Sequence, residues 1–142
     1  MAIGQKNLDK FPIFLRSKLE SGEVTLPEGV EFDYEDIVAY RALARNTDDF
    51  TPLNSDDMKS YAELGKFPRG LNLTENDAKR YGVSLYTNKD CLQNLFRFPN
   101  PKKKLAKGMV CMTYGPQLTE RFHVNWWLYS NAKFDSFEIC ED

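Results

Sequence analysis

Hydrophobic and polar residues alternate most clearly near the C-terminal end of the chain. In the segment 123–129, Val124, Trp126 and Leu128 fall at every second position. This two-residue period is typical of a β-strand, and it predicts a strand over Arg121–Tyr129. The positions between them carry side chains with a polar group: His123, Asn125, Trp127 and Tyr129. One face of the strand therefore suits a hydrophobic core, and the other suits a partly hydrated groove.

Further extended segments accompany this strand. Alternating residues predict strands over Met109–Tyr114 and Phe134–Cys140, and a shorter strand over Val83–Thr87. The predicted connection between the first of these and Arg121–Tyr129 is Gly115–Thr119. Three strands that follow one another at short spacing favour a C-terminal three-strand antiparallel meander.

Helical periodicity is typical of the first two-thirds of the chain. Apolar residues at three- and four-residue intervals, with capping residues at the ends, predict four helices. These helices are Asp9–Ser21, Ser55–Leu64, Thr74 up to Gly82, and a segment from Asn88 to Phe96. A loop is predicted over Lys66–Leu73, which contains Pro68 and Gly70. The segment Asp33–Arg45 fits a helix or a strand, and the helix is preferred because of its alanines.

The composition fits one folded unit. The chain has 142 residues, of which 42% are hydrophobic and 13% aromatic, and this is enough for a substantial core. We therefore predict one compact α+β domain over residues 1–142, with N-terminal and central helices packed on a mainly antiparallel sheet. The N-terminus lacks the long apolar region of a secretory signal, and no run reaches the roughly 18 apolar residues that span a membrane. A cytoplasmic protein without membrane contact is expected.

Cysteine usage points to reduced thiols. Cys91, Cys111 and Cys140 are too few and too scattered for a disulfide framework. They form no CxxC pair, and the single histidine does not complete a common zinc ligand set. No metal site is predicted.

The charge balance disfavours nucleic acid as a partner. The formal net charge is −2 and the isoelectric point is near 5.5. Four lysines nevertheless fall within Lys102–Lys107, close to Phe96 and Phe98. In such a loop the lysines could contact phosphates and the aromatic rings could stack on bases, so nucleic-acid binding is one alternative function. Solvation of a loop is the simpler interpretation of the same lysines.

Familiar hydrolase motifs are absent. The segment Gly82-Val83-Ser84-Leu85-Tyr86 has Tyr86 where a nucleophile elbow requires glycine. His123 could transfer protons near neutral pH, but no second histidine or fixed nucleophile motif accompanies it. A Ser-His-Asp hydrolase is therefore not predicted.

Another constellation is Arg41, Ser84 and Glu120, in that order along the chain. Val38-Ala39-Tyr40-Arg41 would lie near an early strand, Ser84 on a strand followed by a helix, and Glu120 just before a strand. If Arg41 is on a strand, this pattern resembles the arginine–serine–glutamate arrangement of ADP-ribosyltransferases. The resemblance implies NAD as the substrate, with the arginine binding its phosphates, the serine supporting the pocket and the glutamate acting on the ribose. The resemblance covers three short segments and not the residues between them.

The leading hypothesis is a non-catalytic protein-binding module that needs no cofactor. Immunity proteins, inhibitors and small accessory subunits are proteins of this class. The predicted contact surface is the sheet face formed by His123, Asn125, Trp127 and Tyr129. On this hypothesis Trp127 is a binding hot spot that the fold itself does not need.

Overall fold

The structure is a computed structural model, which describes residues 5–46, 48–67 and 72–140. Its α-helices are α1 (Gln5–Leu8), α2 (Ile13–Ser21), α3 (Tyr61–Leu64) and α4 (Lys89–Leu95). Its strands are β1 (Ile37–Leu43), β2 (Val83–Tyr86), β3 (Lys104–Val110), β4 (Gln117–Glu120), β5 (His123–Trp126) and β6 (Glu138–Cys140). Short 3₁₀ helices occupy Ser55–Met58, Ala78–Arg80 and Met112–Tyr114. Part of the predicted loop over Lys66–Leu73, including Pro68 and Gly70, lies outside the described residues.

All six strands form one antiparallel sheet in the order β4-β5-β2-β1-β3-β6. The predicted α+β class and the mainly antiparallel sheet are confirmed. The sheet has two three-stranded halves, β4-β5-β2 and β1-β3-β6. A single registered pair, Tyr40 with Tyr86, joins them. We call the junction between β1 and β2 the seam.

The predicted C-terminal meander is wrong in its strand order, because β6 pairs with β3 and not with β5. The strand predicted over Met109–Tyr114 begins earlier, at Lys104, and a 3₁₀ helix follows it. Gly108 in β3 allows this pairing, since a Cβ there would lie 2.3 Å from the ring of Phe137, just before β6. Phe137 in turn stacks on Trp126 at a centroid distance of 6.3 Å. This long-range packing stabilises β6 beside β3.

Both faces of the sheet are covered over much of its area. The first core lies on one face and contains buried residues from four of the strands. These are Ala39, Leu43, Val83, Leu85, Ala106, Val110, Val124 and Trp126, and Met58 and Phe137 join them. The second core lies between helix α2 and the opposite face near β5. Its buried members are Phe11, Leu15, Val24, Val30, Ala78, Tyr81, Trp127 and Tyr129. Consecutive tryptophans therefore serve different cores, as the predicted alternation requires.

The N-terminal helix differs from its predicted bounds. Pro12, and not Asp9, occupies the N-cap position of α2, because its extended backbone precedes the first helical residue. Gly22 closes the helix in the left-handed conformation, with φ 80°. The end of the helix was thus predicted correctly and its start was not.

The predicted helix Ser55–Leu64 consists of two shorter helices. The extended backbone of Lys59 separates the 3₁₀ helix from α3. Each helix has its own capping box: Asn54 with Asp57, and Ser60 with Glu63. The predicted helix from Thr74 shrinks to the 3₁₀ helix Ala78–Arg80, which Asp77 caps.

The ambiguous segment Asp33–Arg45 contains strand β1, so the preferred helix was wrong. β1 pairs with β3 along its whole length, from Ile37–Val110 to Leu43–Lys104. Ladder hydrogen bonds and the burial of Ala39 and Leu43 on one face outweigh the helical propensity of the alanines. This correction is decisive for Arg41, which the resemblance needs on a strand.

Candidate functional site

A serine and the only histidine meet on the sheet face opposite the first core. In the β2–β5 ladder Ser84 is opposite Asn125, and Tyr86 is opposite His123. Directly paired residues point to the same face, so these four side chains are neighbours. Ser84 Oγ lies 2.8 Å from His123 Nε2, within hydrogen-bond distance. The Tyr86 ring packs edge-on against the imidazole, with centroids 5.2 Å apart. The imidazole is therefore held in one orientation by a hydroxyl and an aromatic ring.

The Arg41 guanidinium is positioned by three backbone carbonyls from different parts of the chain. Nε donates to the Asp57 carbonyl at 2.8 Å, and one terminal nitrogen donates to the Ser84 carbonyl at 2.7 Å. The other terminal nitrogen donates to the Lys59 carbonyl at 3.3 Å. Arg41 thereby ties β1, β2 and the segment before α3 together at the seam.

The charge of Arg41 has no carboxylate in contact with it among the described residues. The nearby Asp57 carboxylate is taken by Arg45, at 2.6 Å. The Glu63 carboxylate instead accepts from the backbone and hydroxyl of Ser60, which it caps. Burial lowers the pKa of Arg41 to about 10, while Tyr61 and the two acids act in the opposite direction. Carbonyl oxygens are thus the direct contacts of this part-buried cation, and the two carboxylates act on it only at longer range.

Glu120 lies at the other end of the cluster. It pairs directly with His123 across the β4–β5 ladder, and so it points to the same sheet face as Ser84. Its carboxylate forms an ion pair with Lys79 Nζ at 3.1 Å, and its side chain is 53% exposed. The carboxylate is therefore accessible from solvent and adjacent to the imidazole.

Of the three residues in the sequence pattern, only Arg41 and Ser84 are in direct contact. Arg41 contacts the carbonyl of Ser84 directly, and Ser84 reaches Glu120 only through His123. By the alternation of β1, Arg41 leaves its strand on the side of the first core, and its guanidinium reaches the Ser84 carbonyl at the seam. The serine hydroxyl points to the other face.

The predicted protein-binding face is not available at three of its four residues. Asn125, Trp127 and Tyr129 are 3%, 0% and 5% exposed, and only His123 is half-buried. The indole of Trp127 donates to the Ala78 carbonyl at 2.8 Å, which satisfies its polar end inside the second core. The expectation of an open groove along this face was wrong, because helix α2 and its neighbours cover it.

The lysine segment does not form one basic surface. Lys104 begins β3 and is only 5% exposed, with its ammonium 4.0 Å from the ring centroid of Phe50. Lys107 is exposed and lies over Tyr40, and Lys103 is half-buried over Phe96. The alternation of β3 puts Lys104 and Lys107 on opposite faces, so the described residues do not form the continuous basic surface that the nucleic-acid alternative would need.

Two further features of the described residues bear on function. No three side chains of histidine, cysteine, aspartate or glutamate are grouped so as to hold a metal ion. No helix within the described ranges is long and apolar enough to cross a membrane.

Sequence reasoning missed two residues of the site. Lys79 could not be foreseen, because it reaches Glu120 from a 3₁₀ helix far away in sequence. The contact between His123 and Ser84 had a partial signal, since both residues lie on predicted strands, but the pairing and register of these strands are not contained in either segment alone. Tyr86 had the same signal as Ser84, from which it is separated by two positions.

The histidine should make stability depend on pH. Burial lowers the pKa of His123, Glu120 opposes this effect and Lys79 adds to it. Between an unfolded pKa of about 6.5 and the lower folded pKa, the unfolded chain binds the proton first. The free energy of unfolding should thus fall as the pH drops below about 6.5, by at most about 1.4 kcal/mol per pH unit from this group.

The effect can be measured by urea denaturation between about pH 5 and 8. His123→Gln should remove this component of the pH dependence, since the chain has no other histidine. An unchanged difference in stability between the two proteins across that range would contradict the assignment.

Comparison with models of protein families, with curated proteins and with solved structures gives no match. The functional argument therefore rests on the geometry of the chain itself.

Proposed function

We propose that Ser84, His123 and Glu120, which share one face of the sheet, belong to the active site of an NAD-using enzyme that transfers ADP-ribose, and that Arg41 contributes at the seam, where it reaches the Ser84 carbonyl from the other face. The observation that carries this proposal is the desolvated Arg41 guanidinium, which only neutral carbonyls contact, beside a serine that holds the sole histidine. A part-buried cation without a carboxylate in contact is costly to the fold, and a phosphate ligand would offset this cost.

Arg41 has donors to spare for such a ligand. A guanidinium carries five N–H groups, and its three carbonyl bonds use three of them, which leaves two. The residue retains some accessible surface, so a phosphate oxygen could reach it from solvent. Arginine binds phosphate oxygens in fixed geometry, which suits the diphosphate of a dinucleotide.

The other residues fit the chemistry of the ribose. In the transfer, the bond between the nicotinamide nitrogen and ribose C1′ breaks, and its electron pair leaves with neutral nicotinamide. The acceptor forms the new bond to C1′ and loses a proton. Glu120 would stabilise the positive charge that develops on the ribose, as a carboxylate does in an oxocarbenium-like transition state. His123, whose pKa burial lowers, is neutral near pH 7 and could accept the proton.

The test is a titration with NAD by calorimetry, together with an assay of nicotinamide release. Arg41→Lys keeps the positive charge but loses the planar fork, so we expect NAD to bind about tenfold more weakly or worse. Arg16→Lys, at a partly exposed position of helix α2, is the matched control and should bind NAD like the wild type. Wild-type protein that neither binds NAD nor releases nicotinamide would overturn the proposal. Equal affinities of all three proteins would remove Arg41 from the site.

The cytoplasmic location proposed from sequence is consistent with the absence of a disulfide at Cys91 and Cys111. A protein is a suitable acceptor for the ADP-ribose, and this keeps a protein partner within the proposal.

The second candidate function is the non-catalytic protein-binding module, at a different surface from the one first predicted. Val38 and Met109 are registered neighbours on β1 and β3, and they are 43% and 37% exposed. Tyr40 and Lys107 extend this open patch of the sheet. Exposed apolar residues in a group are typical of contact surfaces. The NAD titration separates the two candidates, because a binding module has no use for the dinucleotide.

A further inference from the structure

We propose that Ser84 is a nucleophile that His123 activates, and that it accepts an acyl group from a carboxylic ester. This inference goes beyond the proposed transfer of ADP-ribose, in which Ser84 holds the histidine and forms no covalent bond. The acyl reaction needs no NAD, so either activity can fail without the other.

The two side chains have the geometry of a nucleophile and its general base. Ser84 Oγ lies 2.8 Å from His123 Nε2, inside the range of about 2.6–3.2 Å that such pairs show. When the imidazole carries its proton on Nδ1, Nε2 is the acceptor and the hydroxyl donates to it. The sequence has no nucleophile elbow at Ser84. The pairing of β2 with β5 instead brings together two residues that are 39 positions apart.

Both residues lie on paired strands and are also held by a neighbour. The Ser84 carbonyl accepts from the Arg41 guanidinium at 2.7 Å, which fixes the backbone of β2 at this residue. The Tyr86 ring packs edge-on against the imidazole of His123, with centroids 5.2 Å apart. A nucleophile and a base on rigid elements need little reorganisation before they react.

The pair retains accessible surface. Ser84, His123 and Tyr86 are half-buried, so the hydroxyl and the imidazole are not sealed inside a core. Ser60 shows the opposite arrangement, since it is 1% exposed and its hydroxyl caps helix α3. An ester can therefore approach Ser84 from solvent.

The groups around His123 suit a general base near neutral pH. Glu120 is registered opposite it on β4, Tyr86 is registered opposite it on β2, and Lys79 pairs with Glu120 from the 3₁₀ helix Ala78–Arg80. Burial lowers the pKa of His123, Glu120 opposes this effect and Lys79 adds to it. The imidazole is therefore neutral at pH 7, and the carboxylate favours the imidazolium that forms when the serine proton moves.

The reaction has two halves that use the same base. Ser84 Oγ forms a bond to the carbonyl carbon of the ester, and its proton moves to His123 Nε2. The bond from that carbon to the ester oxygen then breaks, and the leaving group takes the electron pair and the proton of the imidazolium. In the second half, water gives a proton to the imidazole and attacks the acyl-serine, which releases the carboxylic acid and restores the hydroxyl.

The test is the reaction of the full chain with p-nitrophenyl acetate, followed by the absorbance of p-nitrophenol and by peptide mass spectrometry after acid quenching. Wild-type protein should carry an acetyl group on Ser84. Ser84→Ala should lose this modification and the p-nitrophenol release that accompanies it. His123→Gln should slow the release by a factor of about 10², the usual contribution of a general base.

Ser136→Ala is the matched control. Ser136 is an exposed serine whose hydroxyl accepts from the Met109 amide at 3.2 Å, and this variant should react like the wild type. Thermal unfolding shows whether each variant is folded. The site of acetylation in the wild type decides the question independently of any variant.

The pH profile is a second measurement, which a serine with a purely structural role would not affect. After the rate of Ser84→Ala is subtracted, the rate should rise with pH as His123 loses its proton and then level off. The midpoint should lie below about 6.5, since burial lowers the pKa of this residue.

The outcomes separate the two activities. Equal rates for wild type and Ser84→Ala, or acetyl groups on lysines or His123 with Ser84 unmodified, would overturn the inference. Release that persists in Ser84→Ala and disappears in His123→Gln would also overturn it, because the imidazole itself would then be the nucleophile. Acetylation of Ser84 in a protein that releases no nicotinamide from NAD would uphold the nucleophile and remove the transferase. Nicotinamide release without acetylation of Ser84 would do the reverse.

Discussion

Trp127→Ala should lower the free energy of unfolding by about 3–5 kcal/mol, as expected when a fully buried indole is truncated. Trp127 is 0% exposed in the second core, and its Nε1 donates to the Ala78 carbonyl at 2.8 Å. The variant would therefore lose packing and leave a buried carbonyl without its donor. Denaturation in urea, followed by circular dichroism, gives the measurement.

A matched variant separates burial from aromatic loss as such. Phe122 lies in the turn between β4 and β5 and is 49% exposed. Phe122→Ala should change the free energy of unfolding by less than about 0.5 kcal/mol. If Trp127→Ala were equally mild, the indole would not be part of the core, and the surface function first predicted for it would regain its basis.

Glu120→Gln should reduce the release of nicotinamide from NAD by a factor of about 10²–10³, the usual effect of losing one stabilising group in a transition state. The substitution keeps the shape of the side chain and removes its negative charge. Since Glu120 is 53% exposed, the free energy of unfolding should change by less than about 0.5 kcal/mol. Steady-state assays over a range of NAD concentrations would place the loss in kcat and not in KM.

Lys79→Gln is the control for this result. It breaks the ion pair with Glu120, which is 3.1 Å long, and leaves the carboxylate in place. If the carboxylate acts on the ribose, Lys79→Gln should retain most of the activity. A loss as large as that of Glu120→Gln would mean that the ion pair, and not the free carboxylate, matters. Full activity of Glu120→Gln would exclude the proposed role of this residue.

The sequence predicted the local elements better than their arrangement. Strand β2 and helix α4 lie where alternation and the Asn88 cap place them, because their signals are local. The position of β6 beside β3 depends on Phe137 packing over Gly108, a contact between residues 29 positions apart (137 minus 108). No periodicity within either segment contains that information.

The site was predicted in part for the same reason. The order of Arg41, Ser84 and Glu120 did not contain the histidine that lies between the last two, nor the placement of the Arg41 side chain on the other face of the sheet. The opposite error arose at Trp127. A polar-tipped residue opposite a core face looks exposed in sequence, whereas here a second layer covers it and the Ala78 carbonyl satisfies its N–H. Sequence alternation separates two faces but does not show whether both are covered.

The seam has a practical consequence for finding ligands. One registered pair, Tyr40 with Tyr86, and the Arg41 bonds hold the halves of the sheet together there. A small molecule that binds at the seam would stabilise the folded state, and the melting temperature should rise with its concentration. Fluorescent dye-based screening of nucleotide libraries could therefore reveal the natural ligand without any assay of turnover.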